Sequence, residues 1–112
     1  MKLRDIHAFE HACDYIVEHM GENILISDIC KRFEISRDKL QRICKQQFGK
    51  TFINYVLELR LYKGAEKLIG SDDSIEKVAK SLSYTKSYFI TRFQRQFECT
   101  PDEYRRMMRV MK

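Results

Sequence analysis

The sequence predicts an all-α protein of about seven helices, with two helix-turn-helix units joined by a long central helix. Three observations carry that expectation. The 112-residue chain holds one proline and four glycines, so few positions interrupt a helix. Its apolar residues recur at spacings of three and four, the period of a helix face. Residues 29–55 repeat without a gap at residues 78–104, an offset of 49. That offset pairs Ile29 with Val78, Lys31 with Lys80, Phe33 with Leu82, Ser36 with Thr85, Leu40 with Phe89, Phe48 with Phe97, Thr51 with Thr100 and Tyr55 with Tyr104. Each copy reads as a short helix, a tight turn and a second helix with basic residues on its outer face.

The elements follow in order. Ile6, Phe9, Cys13, Ile16, Val17 and Met20 make one apolar stripe on a first helix over about residues 5–20, with Gly21 as its C-cap. Ser27 is placed to cap a short helix ending at Arg32. Glu34-Ile35-Ser36 forms the turn, Ser36 caps the next helix over about 37–48, and Gly49 ends it, so unit one spans about 22–50. A bridging helix over about 51–69 is apolar nearly all round in its first half: Phe52, Ile53, Tyr55, Val56, Leu57, Leu59, Leu61 and Tyr62. Such a helix is expected to be covered on several sides and to join the two units in one rigid body.

Gly70-Ser71-Asp72-Asp73 then breaks the chain, and Ser74 caps a helix over about 75–82. Ser83-Tyr84-Thr85 is the second turn and the next helix spans about 86–97, giving unit two limits of about 74–98. Thr100-Pro101-Asp102-Glu103 carries an N-cap threonine, a proline at the first helical position and a glutamate at the third, and opens a terminal helix over about 101–110. The whole chain, 1–112, reads as a single domain.

Charge is concentrated in the repeat. The net charge is +5, but residues 30–50 carry seven Lys/Arg against two acids and residues 80–112 carry eight against three, leaving the rest acidic. This is the footprint expected of a protein that meets phosphate. In the second helix of unit one, Leu40, Ile43, Cys44 and Phe48 are expected inside, with Arg37, Gln41, Arg42 and Lys45 outside. Arginine pairs with guanine O6/N7 and glutamine with adenine N6/N7, so Arg37, Gln41 and Arg42 are candidates for base contact. In the matching helix of unit two Phe89, Phe93 and Phe97 form the inner stripe, and Lys86, Ser87, Tyr88, Thr91, Arg92 and Arg95 remain. There Gln41 and Arg42 become Ile90 and Thr91, so unit two is expected to lean on phosphate and shape. Lys86, Ser87, Tyr88 and Thr91 are its candidates for bases. Ser36, Lys45, Lys50, Thr51, Thr85, Arg92 and Arg95 are the candidates for phosphate across the chain.

These residues resemble the DNA-binding domain of the AraC/XylS transcription regulators, with the bare length of the MarA/SoxS type. The resemblance covers about residues 5–106. It rests on Ser36 through Arg42, Phe48-Gly49-Lys50-Thr51-Phe52, Arg60 with Ala65 and Leu68, Ile75 with Val78-Ala79, Ser87-Tyr88-Phe89, and Phe97 through Thr100-Pro101 to Tyr104-Arg105. It implies seven helices, two helix-turn-helix units in successive major grooves of double-stranded DNA, activation by contact with RNA polymerase, and base contact by Gln41 and Arg42. An effector or dimerising domain before this one is the family's common arrangement. The chain departs from the family pattern in three places. Glu34 and Ser83 stand where the turns usually carry glycine. The second turn reads one residue short. Asp38 replaces an aromatic and, as an acceptor, favours cytosine N4.

Other classes fit less well. Nothing resembles a phosphate-cradling glycine loop or a nucleophile with its base, so no enzyme, catalytic residue or cofactor is expected. His7 and His11, with Glu10, share a helix face but lack a third ligand, so no metal is expected. Cys13, Cys30, Cys44 and Cys99 show no metal or disulfide spacing; Cys30 and Cys44 replace Ala79 and Phe93 of the repeat and read as buried side chains. No membrane span or signal peptide is read, which makes the expected location cytoplasmic. The competing reading is a protein-interaction module built on degenerate helix-turn-helix units. Salt dependence separates the two, because binding to duplex weakens steeply with salt.

Overall fold

The computed structural model describes residues 2–111, which form seven α-helices and no strand. They are α1 (Leu3–Glu18), α2 (Ile26–Arg32), α3 (Arg37–Phe48), α4 (Phe52–Gly70), α5 (Ile75–Ser81), α6 (Lys86–Phe97) and α7 (Pro101–Val110). Two compact units divide within α4, between Leu57 and Glu58. In the first, α1 and α2 pack on α3; in the second, α5 and α7 pack on α6.

The repeat is obeyed helix by helix. Adding 49 to the limits of α2 and α3 gives the limits of α5 and α6. The caps repeat as well: Ser36 Oγ accepts from Lys39 N at 3.2 Å and Thr85 Oγ1 accepts from Tyr88 N at 3.2 Å. Each turn is closed by the same backbone bond, Ile35 N to Cys30 O at 3.1 Å and Tyr84 N to Ala79 O at 3.0 Å. The second turn is therefore the same length as the first. Left-handed backbone also recurs in pairs, at Glu34 (φ 50°) and Ser83 (φ 64°), and at Gly49 (φ 70°) and Glu98 (φ 60°). Only Gly49 takes that conformation without a Cβ penalty; a side chain there costs roughly 1–2 kcal/mol.

The core of the first unit is built by Phe9, Ala12, Ile16, Ile29, Ile35, Leu40, Ile43, Cys44, Phe52 and Val56, all buried. Burial pushes the Cys44 thiol up to about 11, the behaviour of a packed rather than a reactive cysteine. Cys30 is only half-buried. The second unit is centred on Leu68, Val78, Leu82, Phe89 and Phe93. Here Gly64 has a structural duty: a Cβ on it would lie 2.7 Å from the Phe89 ring and 3.1 Å from Leu82.

Several expectations need correction. Helix α1 ends at Glu18 with His19 as C-cap, not at Gly21, because the His19 ring stacks on Tyr15 at 3.9 Å and its Nδ1 meets Tyr15 O at 2.8 Å. Ser27 lies inside α2; Leu25 is the N-cap and no side chain caps it. The short helix of unit two stops at Ser81, with Leu82 as its C-cap. Val17 is exposed, and the buried face of α1 is Asp5, Phe9, Ala12 and Ile16. Phe48 is 41% exposed, its face stacked on Tyr55 at 4.5 Å rather than sunk in the core. Helix α4 is not covered all round either: Ile53 and Tyr62 are 60% and 51% exposed. Among the described residues no helix is long and apolar enough to cross a membrane.

Candidate nucleic-acid interface

Helix α3 projects its polar face from a rigid footing. Leu40, Ile43 and Cys44 anchor it, and Lys39 reaches the buried Asp5 of α1 at 3.3 Å. On the outer face Ser36, Arg37, Asp38, Arg42 and Lys45 are exposed. Asp38 and Arg42 are not independent: the Arg42 Nη2 donates to Asp38 Oδ2 at 2.6 Å, with both side chains more than half exposed. The spacing of four places them on one helix face, and Asp38 sits in the first turn, where the helix field favours a carboxylate.

Gln41 is placed differently from the expectation. It is half-buried, and its Oε1 accepts the Phe52 N–H at 2.9 Å, satisfying one of the free donors at the start of α4. Bidentate pairing with adenine uses both ends of the amide, so in this conformation Gln41 has one carbonyl lone pair and its N–H groups left for a base. No local pattern signals this bond, since the two partners lie eleven residues apart.

Thr51 Oγ1 accepts from Asn54 N at 3.3 Å, as Ser36 and Thr85 do for their own helices. A hydroxyl that accepts such a bond keeps its own O–H for an external acceptor, so capping and phosphate contact are compatible. Lys50 is half-buried beside the αL residue Gly49.

On α6 the residues Lys86, Ser87, Tyr88, Thr91 and Arg95 are exposed, and Ile90 and Arg92 are half-buried. Arg92 lies over the Tyr88 ring at 5.4 Å, which holds the two side chains together. Tyr88 also packs on Tyr84 at 5.0 Å, and the Arg60 guanidinium lies over Tyr84 at 5.2 Å. Not all of the positive charge in residues 80–112 faces outward. Arg105 Nε donates to Leu68 O at 2.8 Å, and Arg109 donates to Ser71 O at 2.7 Å and pairs with Asp72 at 2.9 Å. These arginines of α7 fasten the end of α4, so the charge count overstated the part of this block open to phosphate.

Comparison with known proteins identifies the family and the fold. Residues 29–107 match a family described as a helix-turn-helix domain. The chain belongs to the AraC-type helix-turn-helix family. It is 30% identical over 102 residues to the HTH-type transcriptional activator RhaR of Mannheimia succiniciproducens, covering 90% of this chain and 37% of that protein. Its identity to the HTH-type transcriptional activator RhaS of Escherichia fergusonii is 35% over 96 residues, 85% of this chain and 34% of the relative. The chain thus spans about a third of the length of these relatives. Among solved structures, a transcriptional regulator with an AraC-type DNA-binding domain from Chromobacterium violaceum superposes with a TM-score of 0.84 at 25% identity, over 93% of this chain and 94% of that one. Among the described residues no group of three or more His, Cys, Asp or Glu side chains is arranged to hold a metal.

Proposed function

We propose that this chain is the DNA-reading part of a transcription activator, with α3 and α6 each entering a major-groove segment of duplex DNA. The observation that carries this reading is the doubled, capped helix whose exposed face is basic in both copies: Arg37, Arg42 and Lys45 on α3, Lys86 and Arg95 on α6. In this reading Arg37, Asp38 and Arg42 meet base edges, and Lys86, Ser87, Tyr88 and Thr91 do so more weakly. Ser36, Lys45, Lys50, Thr51, Thr85, Arg92 and Arg95 grip phosphate. Gln41 adds a base contact through its amide N–H groups and its second carbonyl lone pair, while the first holds α4. Activation through RNA polymerase, a cytoplasmic location and an effector domain elsewhere in a longer regulator complete the proposal; the greater length of the relatives supports the last of these.

The experiment is a selection from random duplexes at moderate salt, followed by binding measurements across salt concentration. Enrichment of two short elements is the expected result. A single element would confine base reading to one unit. Contact with about six phosphates would make log K fall against log salt with a slope of about −5. No enrichment and no salt-sensitive binding would overturn the reading in favour of a protein-interaction module.

A further inference from the structure

Asp38 and Arg42 are bonded to each other on the exposed face of α3. A G·C pair shows the major groove two acceptors, guanine N7 and O6, followed by one donor, the cytosine N4 amine. The Asp38–Arg42 pair offers the complementary order. The guanidinium has five N–H groups and gives one to Asp38 Oδ2 at 2.6 Å, leaving a free fork for N7 and O6. The carboxylate, 75% exposed, keeps lone pairs for the N4 amine. Resting on the DNA-reading proposal above, we infer that this pair specifies a single G·C base pair, with Asp38 contacting cytosine directly and positioning Arg42 on guanine.

The pair also rejects the alternative. An A·T pair sets an acceptor, thymine O4, where the carboxylate needs a donor. Gln41, which precedes Arg42 on α3, already gives one carbonyl lone pair to Phe52 N. Unit one is therefore built for G·C at this position. In unit two the corresponding residues are Ser87 and Thr91, which cannot form such a pair.

Base analogues provide the test, with this chain and a duplex selected by it. The G·C pair is replaced in turn by one with 7-deazaguanine, which lacks N7, and by one with 2-pyrimidinone for cytosine, which lacks the amine. The unaltered chain should lose about tenfold or more in affinity for each. Asp38→Ala should become indifferent to removal of the amine and Arg42→Ala to loss of N7, each read as the ratio of affinities for the altered and unaltered duplexes. Both side chains are exposed, so these variants should keep their helical circular dichroism and melting temperature. The inference is overturned if Asp38→Ala still discriminates against 2-pyrimidinone, if Arg42 acts with no dependence on Asp38, or if the selected element has no G·C pair sensitive to either variant. Absence of any salt-sensitive duplex binding by the unaltered chain would overturn the DNA-reading proposal as well; retained binding with those failures overturns this inference alone.

Discussion

The two units keep one backbone and fill it with different chemistry. At the centre of the first lies Cys44, fully buried and small; its counterpart, Phe93, is a fully buried ring packed among Phe89, Phe97 and Tyr104 in tilted and edge-on contacts. Ile43, buried in α3, becomes Arg92, which lies over Tyr88. The start of the following helix differs most. In the first unit Phe52 N–H is satisfied by Gln41. In the second, position 101 is proline and has no N–H, position 90 is isoleucine and has no acceptor, and Thr100 and Glu103 form a reciprocal capping box instead. Donor and acceptor are thus replaced together. A fold can tolerate such exchanges when its turns and caps hold the backbone in place, because side-chain volume and polarity are then free to be balanced locally.

That comparison can be broken most forcefully in the core. Phe93→Ala should cost about 3–5 kcal/mol by chemical denaturation, whereas Cys44→Ala should cost far less. Equal losses would mean that the aromatic cluster does not carry the second unit. For recognition, Arg42→Ala should weaken the selected site by about 1–3 kcal/mol at one base position, and Lys45→Ala, at a phosphate contact, should weaken selected and random duplexes alike. Equal losses on both duplexes for Arg42→Ala would remove it from base reading.

Gly64→Ala is expected to destabilise by about 1–3 kcal/mol, since the new methyl must displace the Phe89 ring, despite alanine's better helix propensity. The left-handed caps sharpen the comparison further. Glu98→Gly should stabilise by roughly 0.5–1 kcal/mol, and Gly49→Ala should destabilise by about 1 kcal/mol. Matching signs in thermal melts would show that the two caps are not under the same constraint.

The smallest effect concerns pH. The Thr100 backbone N–H, then its hydroxyl, holds the Glu103 carboxyl below its usual range. A depressed folded-state value gives stability that is present above the unfolded value, about 4.3, and is lost as pH falls through the folded one. Glu103→Gln should flatten that acid limb of a stability profile, with no counterpart at Asn54 in the first unit.

Helices α3, α6 and α7 were legible to the residue because their signals are local. Ser36, Thr85 and Thr100-Pro101 each bond or constrain backbone within three positions, and Gly49 marks its own conformation. The repeat then carried those limits from one unit to the other. The junction of α1 and α2 was misread because a ring stack, Tyr15 on His19, decides where α1 stops. Asp5 with Lys39, Gln41 with Phe52, and Arg105 with Leu68 depend on partners brought together only by folding. Charge patterning found the basic faces but could not show which arginines hold carbonyls. Asp38 and Arg42 were visible as neighbours on one face; their bond to each other was not.

The Gln41–Phe52 bond gives this protein an internal spectroscopic marker. While the glutamine carbonyl accepts from Phe52, that amide proton should exchange slowly with solvent and resonate downfield. Were Gln41 to swing toward a base on complex formation, the same proton would lose its acceptor and exchange faster. One resonance in a ¹⁵N correlation spectrum would then report whether Gln41 keeps its hold on α4 in the complex. Pro101 contributes no such peak, so the signal belongs to the first unit alone.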